Sequence, residues 1–191
     1  MEKESIVPTS EIVRLHDLYF KPYISEIDIR NKINEIGKEL SERFKGKCPL
    51  FINVLNGSFV FAADLLRACD INCEVSFIKI ASYEGLSSSG KTQTIIGLTE
   101  EVKGRDIIIL EDIVDSGRTL YRFLQQLKEQ EPASITVVAL LVKPDAAEFK
   151  VKLDYVGFEI PNAFVVGYGL DYNGLGRNLK GVYQLTEEMS S

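Results

Sequence analysis

Apolar and polar residues follow a helical period in three parts of the chain. In residues 26–44, isoleucine and leucine recur every three or four positions, which predicts an amphipathic helix. Ser25 or Asp28 is a suitable cap for its N-terminus, and Gly46 is expected to end it. The segments FVFAADLLRA and RTLYRFLQQLKEQ also have helical composition and period.

Apolar runs between these helices predict strands that are rich in β-branched and aromatic residues. They are PLFINVL, CEVSFIKIASY, DIIILE and SITVVALLVK. Strands that look buried on both faces and alternate with helices are typical of a parallel sheet covered by helices. We therefore expect an α/β fold with a doubly wound, mainly parallel sheet flanked by helices.

Two segments depart from this alternation. Residues 84–97 are polar, rich in glycine and serine, and long for a connection, so we expect a mobile functional loop there. The segment after residue 154 has short apolar runs broken by Pro161 and several glycines, which predicts short strands and loops that cap one end of the sheet. In open α/β sheets, ligands bind beyond the carboxyl ends of the strands, so the loops that follow the strands are the candidate sites.

The amino-acid composition limits the classes of protein to which this chain could belong. A chain of 191 residues with 45% hydrophobic and 26% charged residues is expected to form one folded domain, residues 1–191. The net charge of −6 argues against nucleic-acid binding, and no apolar stretch predicts a membrane span or signal peptide. The three cysteines form no metal-ligand pattern, so we expect free thiols in the cytoplasm. The single histidine, His16, is expected at the surface.

The segment LEDIVDSGRTL combines two kinds of polar chemistry at a strand-to-helix turn. Backbone N–H groups at a helix N-terminus and nearby hydroxyls suit a phosphate monoester, although Asp115 or Ser116 could simply cap the helix. The adjacent acids Glu111 and Asp112 are costly to bury unless sugar hydroxyls or a magnesium ion meet them. The combination predicts a ribose phosphate site, and neither a P-loop nor a dinucleotide fingerprint is present.

LEDIVDSGRTL closely resembles the phosphoribosyl pyrophosphate signature of the type I phosphoribosyltransferases. Four other segments resemble the hypoxanthine-guanine members of that family, in the same order and at similar spacing. The resemblance runs from about residue 50 to residue 179 and implies the fold of the family, with a core of about 25–145 and a small hood from about 1–24 and 146–191. These segments are LNGSFVFAADL, the SY before the long polar loop, LLVKP, and VGFEIPNAFVVGYGLDYNGLGRNL.

The resemblance implies a role for each polar group around the sugar phosphate. Glu111 and Asp112 would bind the ribose hydroxyls, directly or through Mg²⁺, with Asp171 as a further metal-binding carboxylate. Asp115 would also face the purine and is the candidate general base for the proton on N7. The turn that would hold the 5′-phosphate consists of Asp115, Ser116, Gly117, Arg118 and Thr119.

Further positions match the parts of the family's site that bind the base. Lys143 would donate to the 6-oxo group of the purine, which would select against a 6-amino group. Phe164 would stack on the base, and the backbone of Val165 would contact its Watson–Crick edge. Taken singly, Lys143 could be a strand-end lysine at the surface and Phe164 a core aromatic.

The pyrophosphate side is implied by two separate segments. Leu55, Asn56 and Gly57 match a loop that binds through backbone amides and often contains a cis peptide in the family, where many members have Lys or Arg in place of Asn56. Arg177 would meet pyrophosphate, although alone it could be an ordinary surface charge. Ser82 and Tyr83, with the loop to Gly97, match a mobile lid that would exclude water.

The implied reaction joins hypoxanthine or guanine to phosphoribosyl pyrophosphate and gives IMP or GMP and pyrophosphate. The family commonly forms oligomers, so a homodimer or homotetramer is expected. Two alternatives remain open at this point. One is an enzyme of the same fold that accepts adenine, xanthine or a pyrimidine, and the other is a regulator that keeps the fold and binds nucleic acid, which the net charge of −6 disfavours.

Overall fold

The computed structural model describes residues 11–83 and 92–187, and it describes only the backbone of 81–83 and 92–96. Three α-helices, one short 3-10 helix (Pro144–Ala146) and ten strands lie in these residues. The helices are α1 (Glu26–Arg43), α2 (Phe59–Ala68) and α3 (Arg118–Lys128). The strands are β1 (Val13–Leu15), β2 (Leu18–Ile24), β3 (Leu50–Leu55), β4 (Glu74–Tyr83), β5 (Thr92–Ile96), β6 (Asp106–Val114), β7 (Ser134–Val142), β8 (Tyr155–Glu159), β9 (Val165–Val166) and β10 (Val182–Thr186).

The main sheet has six strands in the order β5-β4-β3-β6-β7-β8. Among the described strands of this sheet, β4, β3, β6, β7 and β8 run parallel to one another, and β5 pairs antiparallel with β4 at one edge. Helices α1 and α2 pack on one face of this sheet, where Leu40 and Phe61 lie with Phe51. Helix α3 packs on the other face, where Phe123 lies with Ile52. The doubly wound α/β prediction is therefore confirmed.

A second, antiparallel sheet has the order β1-β2-β10-β9 and combines both ends of the described chain. Its own small core contains Phe20 and Val166, both fully buried. This sheet is the hood that the family resemblance implies. Strands β1 and β2 precede the main sheet in the chain and β9 and β10 follow it, so the residues between β8 and β9 pass from one sheet to the other.

Helix α1 forms as its sequence predicts. Ser25 is its N-cap, and the Ser25 hydroxyl accepts a hydrogen bond from the Asp28 N–H at 3.1 Å, which satisfies one of the free donors of the first turn. The apolar stripe at the predicted positions is buried against the sheet. The helix ends at Arg43, and Gly46 follows with a left-handed φ of 74°.

Three strands differ from the sequence prediction. Strand β6 does not stop at the acids but continues to Val114, because its backbone keeps pairing with β7 up to Val142. Part of the stretch predicted as a loop is β5, which pairs with the last five residues of β4. Strand β8 joins the edge of the main sheet beside β7 instead of capping one end of it. No helix among the described residues is long and apolar enough to cross a membrane.

Candidate active site

A cavity of about 360 Å³ lies at the carboxyl ends of β3, β6 and β7. A second, adjoining one is bordered by the turn at residues 115–119. We call the first the central cavity. Its wall contains most of the residues that the sequence places in a site: Leu55, Asn56, Gly57, Glu111, Asp112, Asp115, Lys143, Phe164, Val165, Asp171 and Arg177.

Glu111 and Asp112 are held near the end of β6, where the strand remains paired although its residues are acidic. Successive side chains of a strand point to opposite faces, and accordingly the two carboxylates have different neighbours. Glu111 borders both cavities, whereas Asp112 borders only the central cavity and lies against the Cα of Gly57. A side chain at position 57 would occupy the space of the Asp112 carboxylate, so glycine is required there.

Both acids lie in surroundings that disfavour their negative charge. The Glu111 Oε2 atom is buried and has no hydrogen-bond partner among the residues that the structure describes. Burial, together with the charge of Asp112, raises the pKa of Glu111 well above its usual value. Burial also raises the pKa of Asp112 to about 6, although backbone N–H groups and the charge of Arg177 partly oppose that rise. A group that donates hydrogen bonds or carries positive charge would relieve both carboxylates.

The turn at residues 115–119 leads from β6 into α3. The sequence suggested Asp115 or Ser116 as helix cap; Gly117 occupies the cap position with a left-handed φ of 75°, and the Ser116 hydroxyl accepts a long hydrogen bond of 3.4 Å from the Arg118 N–H. Glycine is needed because a Cβ at this position would lie 2.7 Å from the Phe149 carbonyl oxygen. The helix therefore begins without a carboxylate cap on its first turn, and the turn borders the second cavity. This arrangement suits an anion.

Asp115 and Lys143 form an ion pair at the edge of the central cavity, with the Lys143 Nζ donating to Asp115 Oδ2 at 3.1 Å. Lys143 follows directly after β7, and its backbone N–H donates to the Val114 carbonyl oxygen. Only 7% of Lys143 is exposed, so the alternative of a surface lysine is excluded. The Asp115 side chain is 54% exposed and open to an incoming ligand.

Phe164 presents an aromatic surface to the same cavity. Its exposure of 42% excludes the alternative of an ordinary core residue. The ring is supported from behind, with centroid distances of 5.9 Å to Phe20 and 5.7 Å to Tyr172. Val165 is buried in β9, where it pairs with Gln184 of β10. A flat ligand could therefore stack on Phe164 while its edge approaches Lys143 and Asp115.

The loop at residues 55–57 forms another part of the cavity wall. The peptide bond between Leu55 and Asn56 is cis, as the family resemblance implied. Asn56 is exposed, while Ser58 is buried and donates to the Val54 carbonyl oxygen at 2.6 Å. The loop is followed closely by helix α2, and the packing of this helix fixes the position of the loop.

Asp171 and Arg177 pair with each other next to this loop. The Arg177 Nη2 lies 2.6 Å from Asp171 Oδ1, and its Nη1 donates to the Gly169 carbonyl oxygen at 2.7 Å. The other oxygen of Asp171 accepts from the Gly174 N–H. Gly169 approaches the Gly57 carbonyl oxygen so closely that no Cβ would fit. Gly169 was not among the residues predicted from the sequence, because such a contact between distant segments leaves no local pattern.

A magnesium ion fits part of the predicted ligand set. The unpartnered oxygen of Glu111 and the neighbouring Asp112 supply the hard oxygen donors that Mg²⁺ prefers. Asp171 differs, because both of its carboxylate oxygens already have partners. Among the described residues, no three His, Cys, Asp or Glu side chains are grouped to hold a metal. Mg²⁺ is usually held by one or two carboxylates together with substrate oxygens, and this donor set is of that kind.

Two predicted residues remain without a described side chain. The backbones of Ser82 and Tyr83 lie at the end of β4 and pair with Gln93 and Thr92 of β5. Residues 84–91, which belong to the predicted lid, lie outside the described residues. The roles of Ser82 and Tyr83 therefore stay predictions.

Comparisons with known proteins give a consistent result. A family model described as the phosphoribosyl transferase domain matches residues 25–173. The hypoxanthine-guanine phosphoribosyltransferase of Lactococcus lactis subsp. lactis is 44% identical over 170 residues, which are 88% of this chain and 92% of that protein.

The similarity extends to a longer protein and to a solved structure. The bifunctional protein TilS/HprT of Listeria monocytogenes serotype 4b is 42% identical over 93% of this chain, which spans only 28% of that protein. The crystal structure of a hypoxanthine phosphoribosyltransferase from Staphylococcus aureus matches with a TM-score of 0.82 and 35% identity, covering 90% of this chain and 94% of the other.

Proposed function

The chain belongs to the phosphoribosyl transferase domain family, and on that premise we propose that it is a purine-salvage enzyme. It transfers the 5-phosphoribosyl group from phosphoribosyl pyrophosphate to N9 of hypoxanthine or guanine and releases IMP or GMP and pyrophosphate. The observation that carries the proposal is the Asp115–Lys143 ion pair beside the exposed Phe164 ring, within reach of an anion-binding turn.

The purine occupies the side of the central cavity formed by Phe164, Lys143 and Asp115. Phe164 stacks on the base, and the buried Lys143 ammonium donates to its 6-oxo oxygen. A 6-amino group would place donor against donor and leave the ammonium unsatisfied, so adenine is a poor substrate. Asp115 accepts the N7 proton as N9 attacks the anomeric carbon. The lysine that pairs with Asp115 in the free protein thus turns to the base when it binds.

The sugar phosphate lies between the two cavities. The N–H groups and hydroxyls of the turn at residues 115–119 bind the 5′-phosphate. The positive end of the α3 dipole stabilises the negative charge of that phosphate. Glu111 and Asp112 accept hydrogen bonds from the ribose hydroxyls. The orphaned oxygen and raised pKa of Glu111 support this role, because a hydroxyl donor would satisfy that oxygen.

The leaving pyrophosphate faces the loop at residues 55–57 and Arg177. Backbone amides of the loop and the guanidinium group bind its negative charge, and the neutral Asn56 adds no cation. Glu111 and Asp112 would hold Mg²⁺, with Asp171 joining them if Arg177 releases it. When bound, Mg²⁺ supplies positive charge that neutralises the pyrophosphate oxygens. Ser82, Tyr83 and the loop to Gly97 cover the site and exclude water from the oxocarbenium-like anomeric carbon.

Nucleotide formation from defined substrates tests the proposal. Purified protein is supplied with Mg²⁺, phosphoribosyl pyrophosphate and, in separate reactions, hypoxanthine, guanine, xanthine or adenine, and the nucleotides are separated by chromatography. IMP and GMP are expected, with little or no AMP. Absence of every purine nucleotide would overturn the proposal. AMP as the main product would show that adenine, and not a 6-oxopurine, is the substrate.

The assembly and the compartment are parts of the same proposal. Val75 and Phe77 of β4 are exposed although apolar, and they offer a surface that a second copy of the chain could cover in a homodimer or homotetramer. Light scattering after gel filtration would measure the mass, and Phe77→Glu should lower it if this surface is the interface.

The three free cysteines support a reducing cytoplasm as the working compartment.

A further inference from the structure

Three consecutive residues next to the central cavity have left-handed backbone conformations. They are Gly167, Tyr168 and Gly169, with φ values of 96°, 48° and 101°. Glycine tolerates this region, but a tyrosine does so at a cost because its Cβ crowds the backbone. A non-glycine residue in such a conformation persists only where surrounding contacts hold it, and such residues cluster at functional sites.

Tyr168 is held by contacts at both of its ends. Its backbone N–H donates to the Leu179 carbonyl oxygen at 2.9 Å. Its ring is buried, and its hydroxyl donates to Asp64 Oδ2 at 2.6 Å. Asp64 lies in α2 and accepts a second hydrogen bond from Arg67 through its other oxygen. Because burial and the Asp64 partner raise the pKa of Tyr168, the hydroxyl keeps its proton and remains a donor.

The contact between Tyr168 and Asp64 closes a ring of contacts around the 55–57 loop. Gly57 is followed by α2, α2 carries Asp64, and Asp64 binds Tyr168. The next residue, Gly169, lies against the Gly57 carbonyl oxygen. Gly169 also exchanges hydrogen bonds with Arg177, which donates its Nη1–H to the Gly169 carbonyl oxygen and accepts the Gly169 N–H through its own carbonyl oxygen.

We infer that Tyr168 and Asp64 form a positioning pair for the pyrophosphate side of the site. Their hydrogen bond holds the turn at residues 167–170 against α2, so that Gly169 sets the distance between the 55–57 loop and Arg177. Neither side chain touches the substrate. The inference rests on the proposed function, in which the loop and Arg177 bind the pyrophosphate group.

The hydroxyl of Tyr168 can be removed with little loss of packing by the substitution Tyr168→Phe. We expect KM for phosphoribosyl pyrophosphate, and for pyrophosphate in the reverse reaction, to rise roughly tenfold, the effect of losing one hydrogen bond to a charged acceptor. KM for hypoxanthine should stay within about twofold, because the Phe164 and Lys143 side of the cavity is not connected through this bond. The matched control is Tyr23→Phe, which removes the hydroxyl of an exposed tyrosine in β2.

Substitutions of Asp64 separate the hydrogen bond from general destabilisation. Asp64→Ala removes the acceptor and should reproduce the rise in KM. Asp64→Asn keeps an oxygen that can accept from Tyr168 and should restore much of the wild-type KM. The double variant Tyr168→Phe with Asp64→Ala should be no worse than either single variant, because both remove the same bond.

The outcomes distinguish this inference from the proposed function. A wild-type protein that forms no nucleotide would overturn the proposed function before any variant is compared. An active wild type with an unchanged KM for phosphoribosyl pyrophosphate in Tyr168→Phe would overturn the positioning pair alone. Equal changes in KM for both substrates, or a lower active fraction without a change in KM, would show a merely structural role and would also overturn it. Hydrogen exchange at the amides of residues 167–170, expected to quicken in Tyr168→Phe, provides a readout independent of activity.

Discussion

Replacing Lys143 with methionine should change which purine the protein accepts. The lysine is buried at the end of β7, and methionine has a similar volume, so packing at this position is retained. The substitution removes the only interaction that we assign to the 6-oxo group. It also leaves Asp115 without its partner, but the Asp115 side chain is half exposed and water can replace the ammonium.

The size of the effect follows from the kind of hydrogen bond that is lost. A hydrogen bond from a charged donor contributes about 1.5–3 kcal/mol, and about 1.4 kcal/mol corresponds to a tenfold change. In the free protein the ammonium is already paired with Asp115, which offsets part of this gain on binding. We therefore expect kcat/KM for hypoxanthine to fall roughly tenfold to 100-fold in Lys143→Met. With adenine the loss should be smaller, since the donor-to-donor conflict disappears as well.

The assay is a competition between hypoxanthine and adenine in one reaction, with both nucleotides separated by chromatography. The control is Lys152→Met, which removes an exposed lysine that pairs with Asp154 away from the cavity. The hypoxanthine preference should fall in Lys143→Met by the ratio of the two losses, at most about 100-fold, and stay unchanged in Lys152→Met. A folded Lys143→Met protein with the wild-type preference would refute the assignment of Lys143 to the 6-oxo group.

Three further predictions concern other parts of the cavity. Burial raises the pKa of Glu111 and Asp112 in the folded state. The ligand-free protein should therefore lose stability as pH rises from about 4, the pKa of these groups in the unfolded chain, through their pKa values in the folded state. Glu111→Gln should flatten this dependence of Tm on pH. An unaltered pH profile in Glu111→Gln would contradict the burial argument. Phe164→Leu should raise KM for the base roughly tenfold by loss of stacking, measured by initial rates, with KM for phosphoribosyl pyrophosphate unchanged. Gly169→Ala should lower affinity for pyrophosphate in calorimetry, because a Cβ has no room beside the Gly57 carbonyl oxygen, and wild-type affinity would show that the loop can move freely.

The regular elements were predictable because their information is local. The period of α1 and its Ser25 cap are both encoded within a few positions, and the structure reproduces them. The extension of β6 through Glu111 and Asp112 was not predictable in the same way. Acidic residues have low strand propensity, but pairing with β7 and the tight approach of Gly57 hold them in the strand.

The residues of the site likewise fall into those that the sequence predicted and those that only the structure revealed. Asp115, Lys143 and Phe164 were found because their segments match a family in order and spacing, and the structure brings all three to one cavity. Tyr168 and Asp64 were not found, since they lie 104 positions apart and are joined only by the packing of α2 on the turn at residues 167–170. Strand β5, TQTII, was missed for another reason, because it directly follows a long polar segment.

Comparison of wild type with Asp115→Asn most directly tests the central claim, that this cavity carries out phosphoribosyl transfer with Asp115 as the base. The asparagine keeps the size of the side chain but cannot take the N7 proton. The wild type should form IMP and GMP, while kcat of Asp115→Asn should fall roughly 100-fold or more, the usual contribution of a general base, with IMP binding changed by less than about fivefold. A wild type that makes neither nucleotide, or an Asp115→Asn protein with undiminished kcat, would contradict the claim.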